Sequence, residues 1–220
     1  FKLIAALSYI FSGLAMYLFV KEHTKKIMAG FIAAIFYLFA PYHLVDLHFR
    51  FAIGEVLAFL FLPLCFYLIK KTQTTRSYIL IFILSISMGA LILSHQAISL
   101  VASIFLISYA VYLFFENKDF NSLFARMLGL TGGVLITSFY WLPLLIESRY
   151  TSLFGWNVYF YPFFSYILSP SRYGLLYQGS RGELYFPVGY PHLFVLVCSI
   201  LVFLIPRFRK KFLDKEKRLY

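Results

Sequence analysis

Four residues suited to acid–base or phosphate chemistry stand in short segments between long apolar runs: Asp46, Arg50, Glu55 and His95. Asp46 lies four residues before Arg50, a spacing at which two side chains meet on a helix. The guanidinium of Arg50 could hold a phosphate through two parallel hydrogen bonds. Glu55 directly precedes the apolar run VLAFLFLPL, and a carboxylate at that position could orient a hydroxyl or hold a divalent cation.

Each of these residues also has a plainer interpretation. Arg50 could form an ion pair with Asp46 or Glu55 that pins the segment in place. His95, between Ser94 and Gln96, could act as a base or donate a hydrogen bond to a phosphate, or it could serve only the local helix turn. The residues themselves leave both alternatives open.

Two more histidines, His43 and His48, precede Arg50 in the same segment. They are five residues apart and therefore do not share a helical face. No His-Glu-x-x-His motif occurs, so we predict no zinc site. At helical spacing His43 lies on the same face as Arg50, which predicts that both contact the same substrate.

The elements that must position these residues are helices in a membrane. The chain is 61% hydrophobic, 21% aromatic and 13% charged, a composition that excludes an ordinary soluble domain. Apolar runs of near-spanning length predict an all-α bundle of about seven transmembrane spans, with the segment before Glu55 lying along the outer membrane interface. The predicted spans are residues 3–20, 27–40, 56–69, 79–93, 97–115, 127–146 and 191–206.

Basic residues alternate with the spans. When the gaps between spans are taken alternately, 15 of the 20 Lys and Arg residues fall on one side, Arg126 and the tail among them. Positive loops stay cytoplasmic, which predicts a bacterial cytoplasmic-membrane protein with a cytoplasmic C-terminus. The net charge of +11 then reflects topology and contact with membrane lipids, and we expect no nucleic-acid partner.

The domain organisation follows from the same pattern. We predict a transmembrane bundle over residues 1–206 and a basic cytoplasmic tail over 207–220. Both cysteines, Cys65 and Cys198, fall inside predicted spans, so no disulfide is expected. The chain begins with Phe1 in an apolar run, which we interpret as part of a longer polytopic protein.

One outer loop, residues 148–190, is unusually rich in Tyr, Phe and Trp. Aromatic faces such as that of Trp156 stack on sugar rings, and Arg172 would add a contact for a charged saccharide. Tyr and Trp are also enriched at membrane interfaces without any ligand, so the loop could simply lie at the interface.

Three strings carry a resemblance to a known family: PYHLVDLHFRFAIGEVLAFLFLPL, LILSHQAISL and SFYWLPLLIE. They resemble bacterial membrane proteins labelled 6-pyruvoyl-tetrahydropterin synthase-related, although nothing in the chain supports pterin chemistry. The family pattern falls on Pro41, Tyr42, Arg50 and Glu55, on Ser94 and His95, and on Trp141, Leu142 and Pro143. That family is similar to the GT-C glycosyltransferases, which take a sugar from a polyprenyl-phosphate carrier on the outer membrane face.

The resemblance implies a fragment of a GT-C-like glycosyltransferase whose usual catalytic acid lies in an earlier outer loop. Arg50 would bind the carrier phosphate with Asp46 and His43 near the substrate, Glu55 would position the acceptor or a divalent cation, and His95 would assist. Two rivals remain: a transporter or lipid-handling protein that uses the same ionisable cluster, and a structural assembly subunit.

Overall fold

The fold is that of a computed structural model, and the residues described are 1–75, 77–150 and 189–205. Every regular element in these ranges is helical, which confirms the predicted all-α class. The α-helices in chain order are α1 (Lys2–Thr24), α2 (Ile27–Leu38), α3 (Pro41–Val45), α4 (Ile53–Thr74), α5 (Tyr78–Ser94), α6 (Gln96–Asn117), α7 (Phe120–Ile136), α8 (Ser138–Glu147) and α9 (Tyr190–Leu204). A π-helix (Asp46–Arg50) follows α3, and a 3-10 turn (Ser148–Tyr150) follows α8.

The described residues do not confirm the predicted seven spans. Among the described helices, α1, α4 and α6 are long and apolar enough to cross a membrane. Two bent pairs raise the total to five at most: α2 with Pro41–Arg50, bent by 49°, and α7 with Ser138–Tyr150, bent by 62°. Helices α5 and α9 are apolar but shorter than a full span.

The predicted sixth span, residues 127–146, is wrong as a single helix because the chain bends at Thr137. The Thr137 hydroxyl donates to the carbonyl oxygen of Gly133 at 2.9 Å. The indole nitrogen of Trp141 donates to the carbonyl oxygen of Val134 at 2.9 Å, across the bend. The Gly133 carbonyl oxygen also accepts the Thr137 N–H at 3.2 Å, so the end of α7 is held by backbone and side-chain hydrogen bonds together.

The described residues divide into two compact units. The first contains residues 1–39 and 43–150 of the described part of the chain, with most of the described helices. The second contains residues 40–42 and 189–205, with α9.

In the first unit, α4 is the central helix and contacts α1, α5, α6 and α7. The core of the unit consists of apolar side chains that are fully buried, among them Cys65, Ile69, Leu91, Leu106 and Leu113. The outward faces of the peripheral helices are apolar too: Leu100 on α6 is 73% exposed and Leu3 on α1 is 72% exposed. Such an apolar surface is compatible with the hydrocarbon interior of a membrane, whereas in water it would cause aggregation.

Glycines bring α7 against α5. A Cβ atom placed on Gly133 would lie 2.7 Å from the carbonyl oxygen of Ser85, and one on Gly129 would lie 2.6 Å from Leu84 Cδ2. Glycine at these positions permits backbone contact between helices that have no hydrophobic force to join them in lipid.

Near the C-terminal end of α4, the Arg126 side chain of α7 is buried, with 1% of its surface exposed. Its Nε donates to the Ile69 carbonyl oxygen at 3.3 Å and to Thr72 Oγ1 at 3.2 Å, and Nη1 donates to the Ala110 carbonyl oxygen at 3.4 Å. Arg126 therefore lies within α7 and not in a loop, and its side chain joins α4, α6 and α7 inside the bundle.

Candidate functional site

The candidate site begins with the irregular chain between α2 and α4. Pro41 starts α3, where its missing N–H needs no partner. The backbone then widens into the π-helix Asp46–Arg50, and Phe51 takes a left-handed conformation with φ of 50°. The Ala52 N–H donates to the Asp46 carbonyl oxygen at 3.0 Å, which closes the turn and places Glu55 in the first turn of α4.

Arg50 lies between two carboxylates. Its Nη1 donates to Asp46 Oδ1 at 2.7 Å, and its Nη2 donates to Glu55 Oε1 at 2.9 Å. The Asp46 side chain is fully buried and that of Glu55 is 7% exposed, whereas 32% of the Arg50 side chain is exposed. The predicted pairing of Asp46 with Arg50 is confirmed, and the ion pair offered as the plainer interpretation is present with both carboxylates.

His95 reaches the same cluster from the turn between α5 and α6. Its Nε2 lies 3.9 Å from Glu55 Oε1. Its Nδ1 accepts a hydrogen bond from the Ile98 N–H at 3.2 Å, so His95 caps the N-terminus of α6. Because Nδ1 must be unprotonated to accept, the ring proton sits on Nε2, and His95 acts as a hydrogen-bond donor.

Gly54 allows the α5–α6 turn, which carries His95, to lie close to the start of α4. A Cβ atom at Gly54 would lie 2.5 Å from the Ser94 carbonyl oxygen, so no other residue fits without moving the α5–α6 turn away from α4. Sequence reasoning did not identify Gly54. The available signal was its position directly before Glu55 at the start of a span, where a glycine otherwise weakens a helix.

The Asp46 side chain is the most deeply buried member of the cluster, with none of its surface exposed. Asp46 Oδ2 is buried and has no hydrogen-bond partner among the described residues.

His43 does not join the cluster, although the helical spacing predicted a common face with Arg50. Its ring lies in an aromatic pocket, with centroids 5.0 Å from Tyr9, 5.4 Å from Tyr37 and 4.4 Å from Phe59. Its Nδ1 donates to the Tyr37 carbonyl oxygen at 3.2 Å. His43 is 2% exposed, so its side chain packs inside the bundle.

The remaining predicted residues divide by position. Trp156, Arg172, nearly all of the aromatic loop 148–190 and the tail 207–220 lie outside the described residues. Within the described ranges, no group of three or more His, Cys, Asp or Glu side chains is arranged to hold a metal ion. The Arg50 guanidinium occupies the space between the Asp46 and Glu55 carboxylates, which a divalent cation would need. These two residues alone therefore do not fit a divalent cation.

The fold and the cluster define a polytopic helical membrane protein with a buried ionic site at one end of α4. The chain belongs to the family described as the 6-pyruvoyl-tetrahydropterin synthase related domain, a membrane protein family, whose model matches residues 1–200.

The chain is also similar to an uncharacterized protein of Lactococcus lactis subsp. cremoris. The two are 23% identical over 175 residues, which is 71% of this chain and 28% of that relative. The chain thus spans little more than a quarter of the length of the relative. No solved structure matches the chain.

Proposed function

We propose that this chain is part of a GT-C-like glycosyltransferase that takes a sugar from a polyprenyl-phosphate carrier on the outer face of the bacterial cytoplasmic membrane, with its C-terminus in the cytoplasm. The observation that carries the proposal is the meeting of Arg50, Glu55 and His95 at the mouth of an apolar span. A lipid-linked phosphate needs this combination of charge and hydrogen-bond donors beside a hydrocarbon surface.

Arg50 and His95 form the phosphate side of the proposed site. About a third of each side chain is exposed, at 32% and 34%, while the carboxylates that hold Arg50 are buried. The guanidinium therefore keeps a solvent-facing edge, and the Nε2–H of His95 lies near the same carboxylate. In the complete protein, Trp156 and Arg172 would contact the sugar.

Glu55 forms the part of the proposed site that binds the acceptor hydroxyl. The acceptor oxygen forms a bond to the anomeric carbon as the bond from that carbon to the carrier phosphate breaks, and the phosphate leaves with the electron pair. Glu55 orients the acceptor hydroxyl and takes its proton. This uptake makes the Arg50 cluster more positive as the phosphate becomes more negative, which stabilises the leaving group.

The proposal is tested with Arg50→Ala and Glu55→Ala in the full-length protein, with cell-envelope glycans as the readout. We expect both variants to lose glycan product by a factor of about 10²–10³, the usual effect of removing one charge-stabilising group. Lys26→Ala, an exposed basic residue of the same chain, is the matched control and should leave the products unchanged. Unaltered glycans in both site variants, at wild-type protein levels, would defeat the assignment.

His95 allows its two roles to be separated. Asparagine is a good N-cap but has no group at the position of Nε2, so His95→Asn should keep the stability of α6 and lower product formation. His95→Ala should lower product formation equally and also lower the free energy of unfolding by about 1 kcal/mol. Thermal unfolding in detergent and product analysis measure the two effects. A fully active His95→Asn variant would restrict His95 to helix capping.

A second candidate, transport or lipid handling, is favoured by one observation. The 62° bend between α7 and α8 breaks a predicted span, and discontinuous helices are typical of transporter substrate sites. In that case the Arg50 and Glu55 variants would change the distribution of a lipid-linked sugar across sealed vesicles and leave glycosidic bond formation intact. A structural assembly subunit would tolerate both substitutions.

A further inference from the structure

A second cluster of charged side chains lies at the end of the first unit where α1, α4 and α6 end and α2, α5 and α7 begin. Its central residue, Lys70, is roughly 22 Å from Glu55 along α4, at 1.5 Å per residue. Basic residues outnumber acidic ones among the described residues of this end. The basic residues are Lys21, Lys25, Lys26, Lys70, Lys71, Lys118 and Arg126, and the acidic residues are Glu22, Glu116 and Asp119. Such a surplus of positive charge attracts anions.

Lys70 carries its charge in a largely buried position. Only 8% of its side chain is exposed. Among the described residues, the carboxylate within ion-pair distance is that of Glu116, and its Oε2 lies 3.8 Å from the Lys70 ammonium, too far for a hydrogen bond. A buried ammonium without hydrogen-bond acceptors is costly, so an anionic oxygen beside Lys70 would lower the free energy of the folded protein.

Glu22, the carboxylate of α1 in this cluster, is engaged by two other lysines. Its Oε1 lies 2.6 Å from the Lys25 ammonium, and its Oε2 lies 3.8 Å from that of Lys71. Glu22 therefore neutralises charge beside Lys70 without contacting Lys70 itself.

Arg126 places a second buried cation next to Lys70. Its Nε donates to the carbonyl oxygen of Ile69, the residue before Lys70. The three hydrogen bonds of this guanidinium within the described residues go to neutral oxygens. Asp119, the acidic residue at the start of α7, caps that helix with its side chain. The positive charge of Arg126 therefore adds to that of Lys70.

An aromatic surface continues from this cluster along α4 and α6. Phe66 lies one helical turn before Lys70, and Tyr112 lies one turn before Glu116. The ring centroids of Phe66 and Tyr109 are 5.4 Å apart, and those of Tyr109 and Tyr112 are 6.2 Å apart. Tyr112 is 53% exposed, so the surface reaches the outside of the bundle. Cations at the end of an outward-facing aromatic surface match the headgroup and chains of a lipid.

We propose that Lys70 and Lys71 bind the phosphate of an anionic phospholipid, whose chains lie along Phe66, Tyr109 and Tyr112. The Lys71 side chain is 33% exposed and gives the phosphate a contact at the surface of the bundle. A lipid is favoured over free phosphate because the aromatic surface offers contacts that only the chains can make. This site does not depend on the function proposed above, because it lies at the other end of α4 from Arg50 and takes no part in sugar transfer.

The test measures lipid binding to the full-length protein in detergent by native mass spectrometry, with phosphatidylglycerol and with zwitterionic phosphatidylcholine. Lys70→Met keeps an apolar side chain in the buried position and removes the charge. We expect it to weaken phosphatidylglycerol binding by about tenfold, because a charge-assisted hydrogen bond is lost. Lys26→Met removes the same charge from an exposed position at the same end, and should change binding by less than about twofold. The preference of the wild type for phosphatidylglycerol over phosphatidylcholine should disappear in Lys70→Met.

Equal phosphatidylglycerol binding by the wild type and Lys70→Met would overturn the proposal. An equal loss in Lys70→Met and Lys26→Met would do the same, because the lipid would then respond only to net charge. If Lys70→Met does not fold, Lys71→Met decides, because its partly exposed side chain can be changed without disturbing the core, and it should also weaken binding. Excess inorganic phosphate is the last comparison. Displacement of phosphatidylglycerol by it would identify a site for free phosphate and contradict the lipid assignment, whereas retention of the lipid supports it.

Discussion

Gly54→Ala should dismantle the ionic site without altering any of its charged side chains. The added Cβ would lie 2.5 Å from the Ser94 carbonyl oxygen, and neither backbone can rotate away as a side chain could. The α5–α6 turn must move from α4, which separates His95 from Glu55. We expect the free energy of unfolding to fall by about 1–3 kcal/mol, as for other overpacked sites, and product formation by the full-length protein to fall with it.

Thermal unfolding in detergent and glycan analysis provide the two measurements. Gly89→Ala is the matched control, because its nearest contact would be the Thr137 methyl group at 3.2 Å, and the nearest backbone atom, the Gly133 carbonyl oxygen, would lie at 3.6 Å. That variant also gains helix propensity, so it should change stability little and leave product formation intact. Equal effects of the two substitutions would contradict a specific role for the contact between Gly54 and Ser94.

The sequence was sufficient to predict the helices but not the places where they bend. Apolar runs identify α1, α4 and α6, because the length and composition of a span are local properties. The bend at Thr137 depends on hydrogen bonds to Gly133 and from Trp141 to Val134, and no apolar count contains that information. The predicted sixth span therefore divides in the structure.

The convergence of Arg50, Glu55 and His95 was predictable from topology alone. Two successive antiparallel helices, α4 and α5, return the chain to the end at which Glu55 begins, so the next turn must lie near it. In the structure, Arg50 Nη2 lies 2.9 Å and His95 Nε2 lies 3.9 Å from Glu55 Oε1. The chemical functions proposed for these residues stay predictions.

The finer structure of the cluster depends on tertiary contacts. Helical spacing placed His43 with Arg50, but the pocket formed by Tyr9, Tyr37 and Phe59 takes the imidazole instead. The Ile98 N–H, three residues after His95, bonds Nδ1 and so determines which ring nitrogen carries the proton. The burial of Asp46 depends on how the π-helix Asp46–Arg50 packs in the folded unit.

Arg126→Ala should have the largest effect on stability among the residues described. The substitution removes hydrogen bonds to Ile69, Thr72 and Ala110 and leaves a cavity at the junction of α4, α6 and α7. Cavity formation and the lost hydrogen bonds together should lower the free energy of unfolding by about 2–4 kcal/mol, measured by thermal unfolding in detergent. Lys26→Ala removes an exposed charge from the same end of the bundle and should change stability by less than about 0.5 kcal/mol. If the two variants were equally stable, Arg126 would behave as a solvated loop charge after all. A selective loss in Arg126→Ala would mean that membrane orientation is better inferred from the basic residues outside the bundle. A buried arginine on α7 that is bonded to α4 and α6 is held by those helices on either side of the membrane.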